Sequence, residues 1–402
     1  MAELVQRVSF NVSLLDVRFV LLLCGLALAR IVWPRRHQLW LILLGSGLAI
    51  GIGAPKTLLL ISSITVLFIY PVNRLWKIAA DRHWPKMIPA AVLATGIGVL
   101  VGLLAAFKAY NEFALPWLGG QWIRKELLAL VGFSYFVLRA ISILRINALM
   151  KTADSTPWVM LSYVLFPPTI TSGPIQKYQD FRNQVNNPKA LTLPVFWTAV
   201  YRITRGYFRK AFIALVLSAA TQSLLGAATL TWWSSILTIA TLYLYFYYDF
   251  AGYSDIAIGL GLLMGITVPE NFKRPFLATS VSEFWRNWHI TLVDWLRENV
   301  YIPLGGMRAS RPRAAVLVFL IMVLCGLWHG LALTFILWGV WHGAWLAFEA
   351  VSGAGPIPPA LRHGPRYWGR VAMTNAIVAV PSLLFLPDSG VILRVLRGLG
   401  TF

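Results

Sequence analysis

Two long stretches of this chain, Ala211–Tyr248 and Ala314–Phe348, contain no Asp, Glu, Lys or Arg. A bilayer span needs about 20 predominantly apolar residues, so each stretch is long enough to cross twice. Inside hydrocarbon a backbone satisfies its own hydrogen bonds only as a helix or a closed barrel. The alternating pattern of barrel strands is absent, and the chain reads as an all-α, polytopic membrane protein. Composition agrees: 58% of the 402 residues are hydrophobic and 12% charged, against about 25% charged in an ordinary soluble domain. A typical cytosolic enzyme and a disordered chain are both excluded.

The net charge of +20 would point to nucleic acid in a soluble protein. Here the basic residues cluster in short connections beside apolar runs, which is the positive-inside pattern. The expected partners are therefore the lipid bilayer and an acidic group at the cytosolic face, and no nucleic acid. Cys24 and Cys325 both lie in apolar runs, so neither a disulfide framework nor a zinc site is expected. The first apolar run ends in Leu-Ala-Arg-Ile-Val-Trp-Pro, which reads as a span and not as a cleavable signal peptide.

Spans are expected at about Val17–Trp33, Leu39–Gly53, Thr57–Val72, Pro89–Phe107 and Leu127–Ile146. The basic connections around Arg35–His37 and Arg74–Lys86 then share one side, the cytosolic one. Pro157–Ser172 is apolar but short, and adjacent Pro167 and Pro168 break a helix, which predicts a re-entrant segment. The uncharged stretches supply two spans each, the first pair turning near Gly226. A last segment, Val371–Leu386, precedes a short basic tail. The total is ten or eleven spans with one or two partial helices in a single membrane domain: spans in 17–110, a core in 127–351 and a C-terminal span and tail in 365–402.

Ionisable groups at membrane depth are expensive and are functional candidates by default. His329, in Gly326-Leu327-Trp328-His329-Gly330, lies about 23 Å along a helix that starts at Ala314. Burial favours its neutral form, which can take a proton from a hydroxyl; the plainer alternative is a histidine bonded between helices. Flanking glycines permit close approach of backbone or ligand. His342 would be some 20 Å further on along one continuous helix, and reads as packing unless the chain reverses. Glu283–His289 and Asp294–Asn299 mix tryptophan with charge, as at an interface or a wet cavity, and Asp294 can pair with Arg297 at i, i+3. Asp249 and Asp255 suit either structural pairing with Arg or Tyr, or the coupling pair of a transporter. Arg202, Arg205 and Arg209 share one helical face, either snorkelling at the headgroups or docking an acidic donor. Gly261 and Gly265 have the spacing of close helix packing. Metal-binding pairs such as His-Glu-x-x-His and nucleotide loops are absent from the sequence, so no metal is expected.

With those residues in view, the sequence resembles the membrane-bound O-acyltransferase (MBOAT) family. The resemblance is carried by Phe246–Asp255, Pro269–Phe276, Glu283–His289, Trp295–Gly306, Gly326–Gly330 and Trp338–Gly343, with Gly132–Phe136 and Ser172–Ile175 upstream. It is strongest to the bacterial branch active in alginate O-acetylation and teichoic-acid D-alanylation. The resemblance implies a helical bundle around a transmembrane tunnel, with His329 as catalytic histidine and His289 as second polar site residue. Tunnel-shaping roles are expected for Trp285, Asn287, Trp288, Trp328 and Tyr253, and, from the pairings above, structural charges at Asp249, Asp255, Asp294 and Arg297. The donor would be an acyl thioester, acyl-coenzyme A or an acylated carrier protein, with no bound cofactor. The acceptor would be a cell-surface polysaccharide, reached with an extracytoplasmic SGNH-hydrolase-like partner, in the bacterial cytoplasmic (inner) membrane. The rivals are D-alanyl transfer to teichoic acid, a transporter or flippase, and a non-catalytic channel serving a partner enzyme.

Overall fold

Long apolar segments without the barrel-strand alternation become helices, which satisfy their own backbone in lipid, and the computed structural model follows that rule. It describes residues 25, 29–30, 37–53, 55–82, 84–110, 112, 132–150, 156–227 and 229–400. Of the described residues, five helical segments are long and apolar enough to cross a membrane: Leu58–Asp81, Met87–Ala109, Leu193–Leu225, Arg311–His329 and Gly364–Phe385. The expected first span, Val17–Trp33, lies almost wholly outside the described residues, as do residues 113–131, with the start of the expected fifth span.

The packing divides the chain into two compact units. One runs up to Thr204 and takes in Asp255–Pro269. It contains α1 (Gln38–Gly53), α2 (Pro55–Ile64), α3 (Tyr70–Asp81), α4 (Met87–Ala109) and α5 (Phe133–Met150). A π-helical turn, Thr65–Ile69, joins α2 to α3. The expected partial helix is α6 (Pro157–Val164), opened by the Thr156 side-chain cap and followed by a 3-10 turn at Pro167–Thr169. Without a long helix, this segment needs other partners for its carbonyls. Wholly buried Arg139 supplies them, donating to Tyr163 O (3.2 Å), Val164 O (3.3 Å) and Thr169 Oγ1 (2.5 Å). α7 (Tyr178–Asn186) is short and polar on one face, and α8 (Leu193–Tyr207) closes this run.

The other unit comprises Arg205–Ser254 and the chain from Glu270 onward. A π-helical turn, Phe208–Ile213, leads into α9 (Ala214–Leu225), which stops at Gly226 where a turn is expected. α10 (Trp232–Leu263) spans both units in sequence. Two short helices follow, α11 (Val281–Asn287) and α12 (Ile290–Leu296), then α13 (Arg311–His329) and α14 (Leu333–Ser352). The chain finishes with α15 (Gly364–Ala379), extended by a 3-10 turn to Phe385, and α16 (Ser389–Gly398).

Two local expectations change. Within α10 the glycines that meet another helix closely are Gly259, whose Cβ would stand 2.7 Å from Ala199 O, and Gly252, whose Cβ would stand 2.8 Å from Gly206 O. Gly261 instead lies against the returning chain at Ile266 and Val268, because α10 ends there and doubles back through Gly265 at φ +80°. Arg297 makes no ion pair with Asp294. Both are exposed; the backbone from Asp294 to Arg297 is regular helix, with the Arg297 N–H on Asp294 O, and a π-helical turn (Arg297–Tyr301) begins only there.

Candidate active site

The two histidine-bearing apolar helices form a tight hairpin. α13 ends at His329, and Gly330–Ala332 reverse the chain into α14. Glycine makes the close approach possible. A Cβ on Gly326 would run into the Phe335 carbonyl, one on Gly339 would stand 2.5 Å from Met322 O, and one on Gly343 2.9 Å from Phe319 O. His329 therefore sits at the tip of the hairpin, about 27 Å along α13. Its ring has aromatic neighbours, with centroids of Trp328 at 4.9 Å, Trp338 at 5.2 Å, Phe385 at 5.2 Å and Phe335 at 6.2 Å. Part of the residue stays exposed.

The reversal also decides the place of His342. It is buried behind Trp338, ring to ring at 4.8 Å, and its Nδ1 accepts from Trp285 Nε1 at 3.4 Å. His342 thus reaches the His329 environment through Trp338 and holds Trp285 in place.

His289 joins α11 to α12 with φ 46° and ψ 46°. That left-handed conformation is uncommon without glycine and costs on the order of 1–3 kcal/mol, so it persists only where surroundings impose it. Asn271 imposes it. Its carbonyl accepts from Ile290 N (3.0 Å), its Oδ1 accepts from Thr291 N (3.4 Å) and Thr291 Oγ1 (2.7 Å), and its Nδ2 donates to Ser254 Oγ (3.2 Å). On the other side of His289, Lys273 N donates to Asn287 O at 3.0 Å and Phe272 bridges Trp288. The buried imidazole packs on Phe250 at 4.7 Å and faces Trp328 at 6.5 Å. Burial first, and the charge of nearby His329 second, push His289 down to about 3, so it is neutral and keeps one N–H to donate.

The structure thus brings His289, Trp328 and His329 together. Trp288 is embedded among Phe284, Phe272, Tyr247 and Tyr243 at 5.1–6.2 Å. Asn287 donates from Nδ2 to Glu283 O at 2.9 Å, tying its side chain to its own helix. Tyr253 is wholly buried core. Glu283 anchors α11: burial pushes its carboxyl up, but hydrogen bonds from Thr279 and Arg362 outweigh that and hold it below its ordinary value.

The two aspartates of α10 are paired. Asp249 accepts from buried Lys210, and Asp255 stands 3.2 Å from Arg202 Nε. The Arg202 side chain is 13% exposed and is engaged with Asp255 within its unit. The π-helical turn after Tyr207 carries Lys210 inward. Arg205 and Arg209 are half-buried. Sequence reasoning gave no role to Asn271, Phe250, Trp338 or Phe385. Asn271, Trp338 and Phe250 lie within motifs that carry the family resemblance, whereas Phe385 is an apolar residue outside them whose place depends on tertiary contacts.

Residues 85–369 match the model of MBOAT, the membrane-bound O-acyltransferase family. A probable alginate O-acetylase AlgI of Pseudomonas putida is 35% identical over 74% of this chain and 62% of its own length. A peptidoglycan O-acetyltransferase of Helicobacter pylori is 31% identical over 60% of this chain and 52% of its own. A teichoic acid D-alanyltransferase of Bacillus subtilis is 30% identical over 52% and 55%. The chain spans little more than half the length of these relatives.

Proposed function

The chain belongs to the membrane-bound O-acyltransferase family, and from that premise we propose that it transfers a short acyl group, acetyl first, from a cytosolic thioester to hydroxyls of a cell-surface polysaccharide. The observation that carries the reading is the pairing of half-exposed His329 with buried, neutral His289 on either side of Trp328, inside the matched residues. His329 acts as general base. It takes the proton of the acceptor hydroxyl as the oxygen attacks the thioester carbonyl. The tetrahedral intermediate then expels the thiolate, which receives that proton, leaving an ester. His289 donates its N–H toward the developing oxyanion, where a prearranged donor is worth most. Trp285, Trp288 and Trp328 wall the path.

The donor is acyl-coenzyme A or an acylated carrier protein, and an extracytoplasmic SGNH-hydrolase-like partner completes delivery in the bacterial cytoplasmic membrane. D-alanyl transfer to teichoic acid is the second reading, favoured by the Bacillus relative's name. Proteoliposomes loaded with acceptor glycan and given labelled acetyl-coenzyme A outside test the proposal. Thioester consumption coupled to labelled ester inside is expected. Solute movement with no thioester consumed would replace this reading with a transporter.

A further inference from the structure

At the end of the hairpin remote from His329, α14 stops at Gly353, whose position lies against the Arg311 guanidinium that begins α13. The following loop and the first turns of α15 border a half-open cavity of 260 Å³, lined by residues 354–358, exposed Arg366 and half-buried Arg370. The two arginines are four apart and so share a helix face. Arg370 is fixed by bonds from Nε to Thr279 O (3.0 Å) and from a terminal nitrogen to Gly355 O (2.9 Å), which leaves donors over. Arg366 makes no ion pair or hydrogen bond among the described residues.

No carboxylate lines this cavity. The two bonded to this part of the unit are committed elsewhere. Glu349 accepts from Val281 N and Ser282 N at 2.7 and 2.9 Å, and Glu283 is held by Thr279 and Arg362. The N-terminal turn of α15 adds the positive end of a helix. The flanking segments 305–313 and 353–370 each contain three arginines and no acid, which places this end on the cytosolic side.

We propose that this cavity is a cytosolic phosphate-binding site, gripped by Arg366 and Arg370. Guanidinium pairs suit phosphate because their planar forks match its oxygens, and the volume fits a headgroup-sized anion and not a large apolar ligand. The phosphate can belong to an anionic lipid or to a soluble ligand, and the site does not depend on the role of His329.

The 402-residue chain purified in detergent would be titrated with dioleoyl phosphatidic acid, and with dioleoylglycerol as its phosphate-free counterpart, by native mass spectrometry. A second arm would measure coenzyme A by calorimetry. Arg366→Gln breaks no internal bond and should leave thermal unfolding unchanged. It should weaken one or both phosphate ligands about tenfold, the scale of one charge-assisted hydrogen bond, and Arg366→Gln/Arg370→Gln should weaken it further. Exposed Arg308→Gln, outside the cavity, should not. A loss confined to phosphatidic acid assigns a lipid headgroup, and a loss confined to coenzyme A assigns a soluble ligand. The proposal is overturned if wild type binds neither, if both cavity variants bind like wild type, or if Arg308→Gln weakens binding equally.

Discussion

Replacing Asn271 by alanine should loosen the segment that carries His289. Asn271 is 0% exposed, and its side chain serves Thr291 and Ser254, which are also buried. Alanine strips the acceptor from the Thr291 N–H and hydroxyl and the donor from Ser254. A buried polar group left unpaired costs about 1–3 kcal/mol. Two residues lose partners and the hydroxyls can partly re-pair, so the expected loss is about 2–4 kcal/mol. Released from the clamp, His289 would also leave its left-handed conformation, which stands only because its surroundings hold it. Asn271→Asp keeps the acceptors for Thr291 but places a carboxyl in a fully buried site, where the ionised form is costly. It should lose less than alanine only at low pH, where the carboxyl is protonated, and more at pH 7. Denaturation in mixed micelles measures both variants. An alanine variant as stable as wild type would refute the clamp.

Three further outcomes follow from the same contacts. His289, pushed down to about 3, stays neutral in the native state while the unfolded chain takes up its proton near 6.5. Between those values the unfolded state binds more protons, so stability rises with pH and is lost as pH falls below about 6.5, by at most about 1.4 kcal/mol per unit. His289→Asn should flatten the difference between denaturation at pH 7 and pH 5, and an equal slope would contradict the assignment. Asp249→Asn strands buried Lys210 and should cost about 3–5 kcal/mol, with Asp249→Asn/Lys210→Met recovering much of it in the same measurement. Gly326→Val forces side-chain atoms against the Phe335 backbone and should lose at least about 1–3 kcal/mol. Gly98→Ala, with nothing within 4 Å of the added Cβ, should be neutral or slightly stabilising.

The hairpin was legible because an uncharged stretch twice the length of a span must turn, and Gly330–Ala332 is where it does. The partial helix at Pro157–Val164 was legible for a matching reason, since Pro167 and Pro168 forbid continuation. What could not be read lies where the fold overrides regular geometry. The π-helical turns at Phe208–Ile213 and Arg297–Tyr301 leave no mark in the hydrophobic period. The first of them turns Lys210 inward to Asp249. The left-handed backbone at His289 depends on Asn271, eighteen residues earlier in sequence, and on hydrogen bonds that only the assembled unit forms. His342 looked remote from His329 along one helix, and the reversal places it one tryptophan away.

The catalytic role of the imidazole at position 329 is tested most directly by turnover of labelled acetyl thioester with purified His329→Ala, checked for intact folding by its unfolding profile. General-base catalysis is worth about 10²–10⁴-fold, so transfer to acceptor hydroxyl should fall by at least that lower figure while donor binding persists. A folded variant that transfers acetyl at the wild-type rate would contradict the account.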